Sequence, residues 1–175
     1  MLEDLGAAVL STDAVVHELY GTDAVRQAVA ARLGPEVLSG GRVERAAVAR
    51  RVFADPSERK WLEGLLWPLV GERVAAFRAR ATARTPAPAA VVIETPLLFE
   101  AGLEAAYDAT IAVIADDALR ARRAGERGQE AVAERDRRQL TQGEKATRAT
   151  YVVENSGSLE DLKGSLAEVL EKLRS

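Results

Sequence analysis

Residues 90–102 read AVVIETPLLFEAG, and how the first five are taken decides the fold. AVVIE is a short, nearly unbroken apolar run rich in β-branched residues that ends on a carboxylate and a proline turn, the pattern of a strand covered on both faces. ATIAVIA at 109–115 and TYVVEN at 150–155 repeat it, and AAVLS at 7–11 follows Gly6, which reads as the left-handed cap of a helical turn MLEDL. Helical patterns separate these runs. Strands alternating with helices predict an α/β domain built on a doubly wound parallel sheet.

Outward from those strands, helices are expected over 13–20, where Gly21 breaks the pattern, and over 23–33, which stops at Gly34-Pro35. LSGGR at 38–42 reads as a polar, hairpin-like loop, and 43–84 as wholly helical. Within that stretch Asp55 is an N-cap, Pro56 takes the first helical position and Glu58 stands where a capping-box partner belongs. Trp61, Leu62, Leu65 and Leu66 share one face; Pro68 is expected to start a new helix with Leu69, Val70, Val74 and Phe77 on its apolar face, and TARTPAPAA closes the segment as a linker. An Arg-dense stretch fills 116–148, and the chain ends in an amphipathic helix carrying Leu159, Leu162, Leu166, Val169, Leu170 and Leu173.

A length of 175 residues suits one domain, or one domain with a small lid. A net charge of -3 gives no general attraction to nucleic acid or an anionic membrane, so any phosphate binding must come from a local cluster. The absence of cysteine excludes disulfides and thiolate chemistry and suits the cytoplasm, and no apolar run approaches the ~18 residues of a membrane span. Arginine outnumbers lysine 20 to 4, so an Arg-rich stretch carries less weight here than elsewhere.

In open parallel sheets ligands bind beyond the carboxyl ends of the strands. Three of those ends carry suggestive residues: STD at 11–13, ETPLLFE at 94–100 and ENSG at 154–157. Taken alone, Asp13 reads as a helix cap, the arginines as a solvated helix face, and the single histidine, His17, as a packing or surface residue.

Together these segments resemble the dephospho-coenzyme A kinase family. The likeness runs in order through LEDLGAAVLSTDAV, RAAVARRVFADPSERKWLEGLLWPLV, VVIETPLLFEAGLE, QLTQGEKATRA and VVENSGSLEDL. It implies a phosphate-binding-loop kinase fold with a five-stranded parallel sheet of order 2-3-1-4-5, a helical acceptor-binding domain over 21–85, and a lid near 118–145 on a core made of 1–20 and 86–175. It also implies phosphoryl transfer from ATP, with Mg²⁺, to the ribose 3′-hydroxyl of dephospho-CoA. Asp13 matches the aspartate that accepts the proton of the attacking hydroxyl. Pro96, Leu97, Leu98, Phe99 and Glu100, with Trp67, fall on the acceptor side; Arg120, Arg123 and Arg127 fall where the lid arginines belong; Asn155, Ser156 and Gly157 match the loop near adenine. The partners implied are small molecules, with neither nucleic acid nor membrane.

The chain departs from the family at several points. STD replaces the usual DAD, His17 and Glu94 replace Arg and Asp, and Trp67-Pro68 replaces a His-Pro pair. The phosphate loop G-x-x-x-x-G-K-[ST] is found nowhere in the sequence. The expectation is therefore a kinase chain begun at an internal methionine, inactive alone, whose strands flank a missing central strand: 7–11 with 90–94 on one side, 109–115 with 150–153 on the other. A non-catalytic acceptor-binding relative and an α/β interaction domain are the alternatives.

Overall fold

The computed structural model describes residues 1–125 and 139–174. They form two compact units, Met1–Val9 with Pro88–Ser175, and Leu10–Ala87. In chain order the elements are β1 (Ala8–Ser11), α1 (Thr12–Tyr20), α2 (Asp23–Leu33), β2 (Leu38–Ser39), β3 (Arg42–Val43), α3 (Arg45–Ala54), α4 (Pro56–Thr82), β4 (Val91–Glu94), β5 (Ile111–Ile114), α5 (Asp117–Gly125), α6 (Gln142–Arg148), β6 (Tyr151–Glu154) and α7 (Leu159–Lys172).

In the first unit β1 pairs with β4, and β5 with β6. Ala89 N–H donates to Gly6 O and Ala8 N–H to Ala90 O, both at 2.9 Å, so the bonds climb both chains in the same direction, as in a parallel pair. β5 and β6 are parallel in register from Ile111 opposite Tyr151 to Ile114 opposite Glu154. Thr110 and Thr150 lock the start of this pair, each backbone N–H donating to the other's hydroxyl at 3.1 and 3.0 Å. β4 and β5 are not hydrogen-bonded to one another: the two pairs stand as separate sheets, one of the arrangements expected where the central strand of a 2-3-1-4-5 sheet is not among the residues. α7 lays Leu162, Leu166 and Val169 on Val153, with Leu2 and Leu5 alongside. Ser158 caps α7 in a reciprocal box with Asp161. Leu159, expected on the apolar face, is 71% exposed because it occupies the first helical position, ahead of the stripe.

The second unit has one core, in which Val15 and Leu19 of α1, Val25, Val29 and Leu33 of α2, Val48 and Val52 of α3, and Leu62 and Leu66 of α4 meet. Because the apolar face of α1 belongs to this core, the boundary between units falls at Val9–Leu10 rather than at residue 20. LSGGR closes as a hairpin, Leu38 opposite Val43 and Ser39 opposite Arg42, since Gly40 and Gly41 both take positive φ (56° and 75°), as a two-residue turn of this hand requires. Three expectations are corrected. Pro68 does not begin a helix but lies inside α4. It costs that helix one hydrogen bond, and Leu62, Leu66, Leu69 and Val70 hold it against the core on either side. Beyond Val70 the face leaves the core, and Val74 and Phe77 are only half-buried. Asp55 caps α4 as expected, accepting from Ser57 N–H at 2.7 Å, which holds its carboxyl below the usual range; Glu58 instead turns to Arg32 of α2 at 2.9 Å.

Candidate active site

All the candidates but Trp67 follow the end of a strand. After β1, Ser11 takes the N-cap position with extended backbone, which puts Asp13 in the first turn of α1. Asp13 is exposed, and its carboxylate makes no hydrogen bond or ion pair with a described residue. It is therefore not the cap. Trp67, on α4, is 53% exposed; Trp61, six residues earlier and a neighbour of the core, lies under Arg32, whose guanidinium carbon is 5.9 Å from the ring.

After β4 the chain turns through 95–103, with the amides of Ala101, Gly102 and Leu103 donating to the carbonyls of Leu97, Phe99 and Leu98 at 3.0, 3.2 and 3.1 Å. Pro96 is exposed and Leu97 and Leu98 are half-buried, while Phe99 is buried at 7% exposure. Glu100 is 14% exposed; its Oε1 accepts from Leu140 N–H at 2.8 Å and faces the Lys145 ammonium at 3.1 Å. Burial pushes the Glu100 carboxyl up, but its own amide, the Leu140 amide and Lys145 together outweigh this and hold it below its ordinary value.

After β5, the Gln142 side chain pairs with Ala115 in both senses, accepting from its N–H at 2.7 Å and donating to its carbonyl at 2.8 Å, as a further strand would. The same amide donates to Asp117 at 2.9 Å. Asp116 caps α5, accepting from Ala118 and Leu119 at 2.9 and 3.2 Å. Arg120 lies in α5 beside Asp117 at 3.2 Å. Arg123 falls in the same helix, and Arg127 lies outside the described residues. After β6, Asn155 N–H donates to Ile114 O at 2.7 Å, and Ser156 Oγ accepts from Asp116 N–H at 3.1 Å, so this loop closes over the end of β5. Gly157 has a local reason of its own: a Cβ there would stand 2.8 Å from Asp161 Oδ2, inside the cap of α7.

The first unit thus brings 96–100, α5 and 155–157 together around β5 and α6, whereas Asp13 and Trp67 belong to the second unit. Gln142, Lys145 and Arg148 were not singled out in the sequence. They recur every three residues on one face of α6, and the Thr141–Glu144 capping box that starts this helix is the signal that would have found them. Among the described residues, no three His, Cys, Asp or Glu side chains come together as a metal cage. No helix of the described residues is long and apolar enough to cross a membrane.

Parallel strands whose carboxyl ends carry an aspartate, an ordered turn and an arginine-bearing helix make an α/β core of the kind that binds ligands at its strand ends. The comparisons with known proteins make this specific. The family model for dephospho-CoA kinase matches residues 1–161. A dephospho-CoA kinase from Deinococcus radiodurans is 45% identical over 142 residues, 79% of this chain and 68% of the relative. One from Moorella thermoacetica is 38% identical over 180 residues, 99% of this chain and 84% of the relative. Among solved structures, TT1252 from Thermus thermophilus superposes with a TM-score of 0.80 at 38% identity, covering 99% of this chain and 88% of that one. Dephospho-CoA kinase from Campylobacter jejuni, at 18% identity and a TM-score of 0.67, shares the fold. The chain belongs to the dephospho-CoA kinase family.

Proposed function

We propose that this chain supplies the acceptor side and the base for phosphoryl transfer from ATP to the ribose 3′-hydroxyl of dephospho-CoA. The observation that carries the reading is Asp13, an exposed carboxylate without a partner among the described residues, at the carboxyl end of a parallel strand and in the first turn of a helix. A carboxylate so placed accepts a hydrogen bond from the acceptor hydroxyl, orients its lone pair toward the γ-phosphorus and takes its proton as the bond to phosphorus forms. The helical segment 21–85 binds the acceptor, with Trp67 stacking on its adenine or packing on its pantetheine end. Pro96, Leu97, Leu98, Phe99 and Glu100 line the acceptor, Arg120, Arg123 and Arg127 meet phosphate, and Asn155, Ser156 and Gly157 lie near the adenine of ATP. Mg²⁺ arrives on the nucleotide, and a cytoplasmic setting belongs to the same reading.

The test is made on the enzyme completed in frame with a strand and a G-x-x-x-x-G-K-[ST] loop. ATP- and Mg²⁺-dependent phosphorylation of dephospho-CoA is expected, and Asp13→Asn should lower kcat by roughly 10²–10⁴-fold with little change in KM. A loss under about tenfold removes Asp13 from the role of base. Trp67→Ala should raise KM for dephospho-CoA and leave that for ATP alone; the reverse pattern would exchange the two ends of the site.

A further inference from the structure

The 95–103 turn is not held by its own hydrogen bonds alone. Its first carbonyl, Pro96 O, accepts from Lys145 Nζ at 2.9 Å, and the same ammonium lies 3.1 Å from Glu100 Oε1. One lysine therefore bridges the two ends of PLLFE. Arg148, one turn on, points its guanidinium at Phe99 O at 3.5 Å, and the Leu140 amide, just before α6, fills the remaining approach to Glu100 Oε1. Glu100 Oε2 is buried without a hydrogen-bond partner, so the carboxylate depends on its other oxygen. The base of α6 is meanwhile fixed to β5 and to the first turn of α5 by Gln142.

We propose that Lys145 is a positioning residue for the acceptor: standing on a helix that Gln142 anchors to β5, it closes the 96–100 turn into the shape that binds dephospho-CoA, without touching the substrate itself. This rests on the reading of Pro96–Glu100 as an acceptor surface. The physical case is asymmetry. Both side chains of the pair are mostly covered, at 22% and 14% exposure, so removing the ammonium leaves a buried charge and a turn carbonyl unpaired rather than merely losing a surface ion pair. Opening the turn relieves both, and the turn then presents Pro96, Leu97 and Leu98 differently. An ammonium suits the task because its three donors point apart and reach a carbonyl and a carboxylate at once.

The experiment compares the full chain with Lys145→Met, Lys145→Arg and, as a control, Lys163→Met on the exposed side of α7. Amide hydrogen exchange without ligand reads the turn, and calorimetric titration with dephospho-CoA reads binding. Lys145→Met should speed exchange of Ala101, Gly102 and Leu103 at least tenfold while the amides of α2 keep their rates, and should raise Kd at least tenfold. Lys145→Arg should bring Kd back within about threefold of the parent, and Lys163→Met should change neither readout. Unchanged exchange or unchanged Kd in Lys145→Met overturns the assignment of Lys145. A separate arm judges the reading beneath it: dephospho-CoA should protect the amides of 97–103 in the parent chain. Protection with an unchanged Lys145→Met leaves the acceptor surface standing and removes only the lysine; no protection removes both.

Discussion

Five valines separate the two units. Val25, Val29 and Val37 of the Leu10–Ala87 unit are 2%, 0% and 0% exposed, whereas Val113 of β5 and Val152 of β6 are 53% and 47% exposed. The side chain is the same, so the difference lies in how each backbone is satisfied. A helix closes its hydrogen bonds internally and is free to turn an apolar stripe toward its neighbours, so four helices converge on one core. A strand needs a partner on each edge and a layer on each face. β5 and β6 have each other and α7 over Val153; Val113, which the register sets opposite Val153, and Val152, opposite Ala112, lie on different faces, and both stay about half exposed among the described residues. Nearly continuous apolar runs state what a strand is suited to, which is cover on both faces.

That contrast can be broken first by charge. Val29→Asp should abolish cooperative unfolding of the helical unit, since a buried unpaired carboxylate costs more than ~4 kcal/mol, while Val113→Asp should shift stability by no more than about 0.5 kcal/mol in urea titration. Equal losses would show that Val113 is covered in solution. Leu166→Ala tests whether the one covered face of β6 is packed as tightly as the helical core: about 2–5 kcal/mol is expected, and a loss near the bottom of that range would mark a looser layer. Ser158→Ala, which removes the side-chain cap of α7, should cost about 1 kcal/mol by the same titration.

The smallest effects separate the units by pH. Glu100 has a lowered folded-state pKa, so its contribution is complete above the ordinary carboxylate value and is lost as pH falls through the lowered one. Tyr20 is displaced the other way: burial pushes its phenol up, against a smaller opposing pull from Arg45. Its contribution is complete below the ordinary value of 10.0 and is lost as pH rises through the raised one. Hydrogen exchange across a pH series should therefore show the 97–103 amides failing first in acid and those of α1 failing first in alkali. Glu100→Gln and Tyr20→Phe should each flatten only its own limb.

The local elements were legible in the sequence. The helix expected at 23–33 is found at Asp23–Leu33, the Asp55-Pro56 start is a real cap, and all four apolar runs are strands within a residue or two. The candidate positions at strand ends were legible as well, because a strand followed by Asp13, by PLLFE or by ENSG is a pattern carried by neighbouring residues. What the tertiary structure decided are the contacts made across long stretches of chain. Pro68 stays inside α4 because packing on both sides of it outweighs a local break. Lys145 meets Pro96 across 49 residues and Gln142 meets Ala115 across 27. Propensity, capping and periodicity act over a turn or two of chain, whereas the partner of a lysine on α6 is chosen only once β4 and β5 have brought their loops to the same end of the unit.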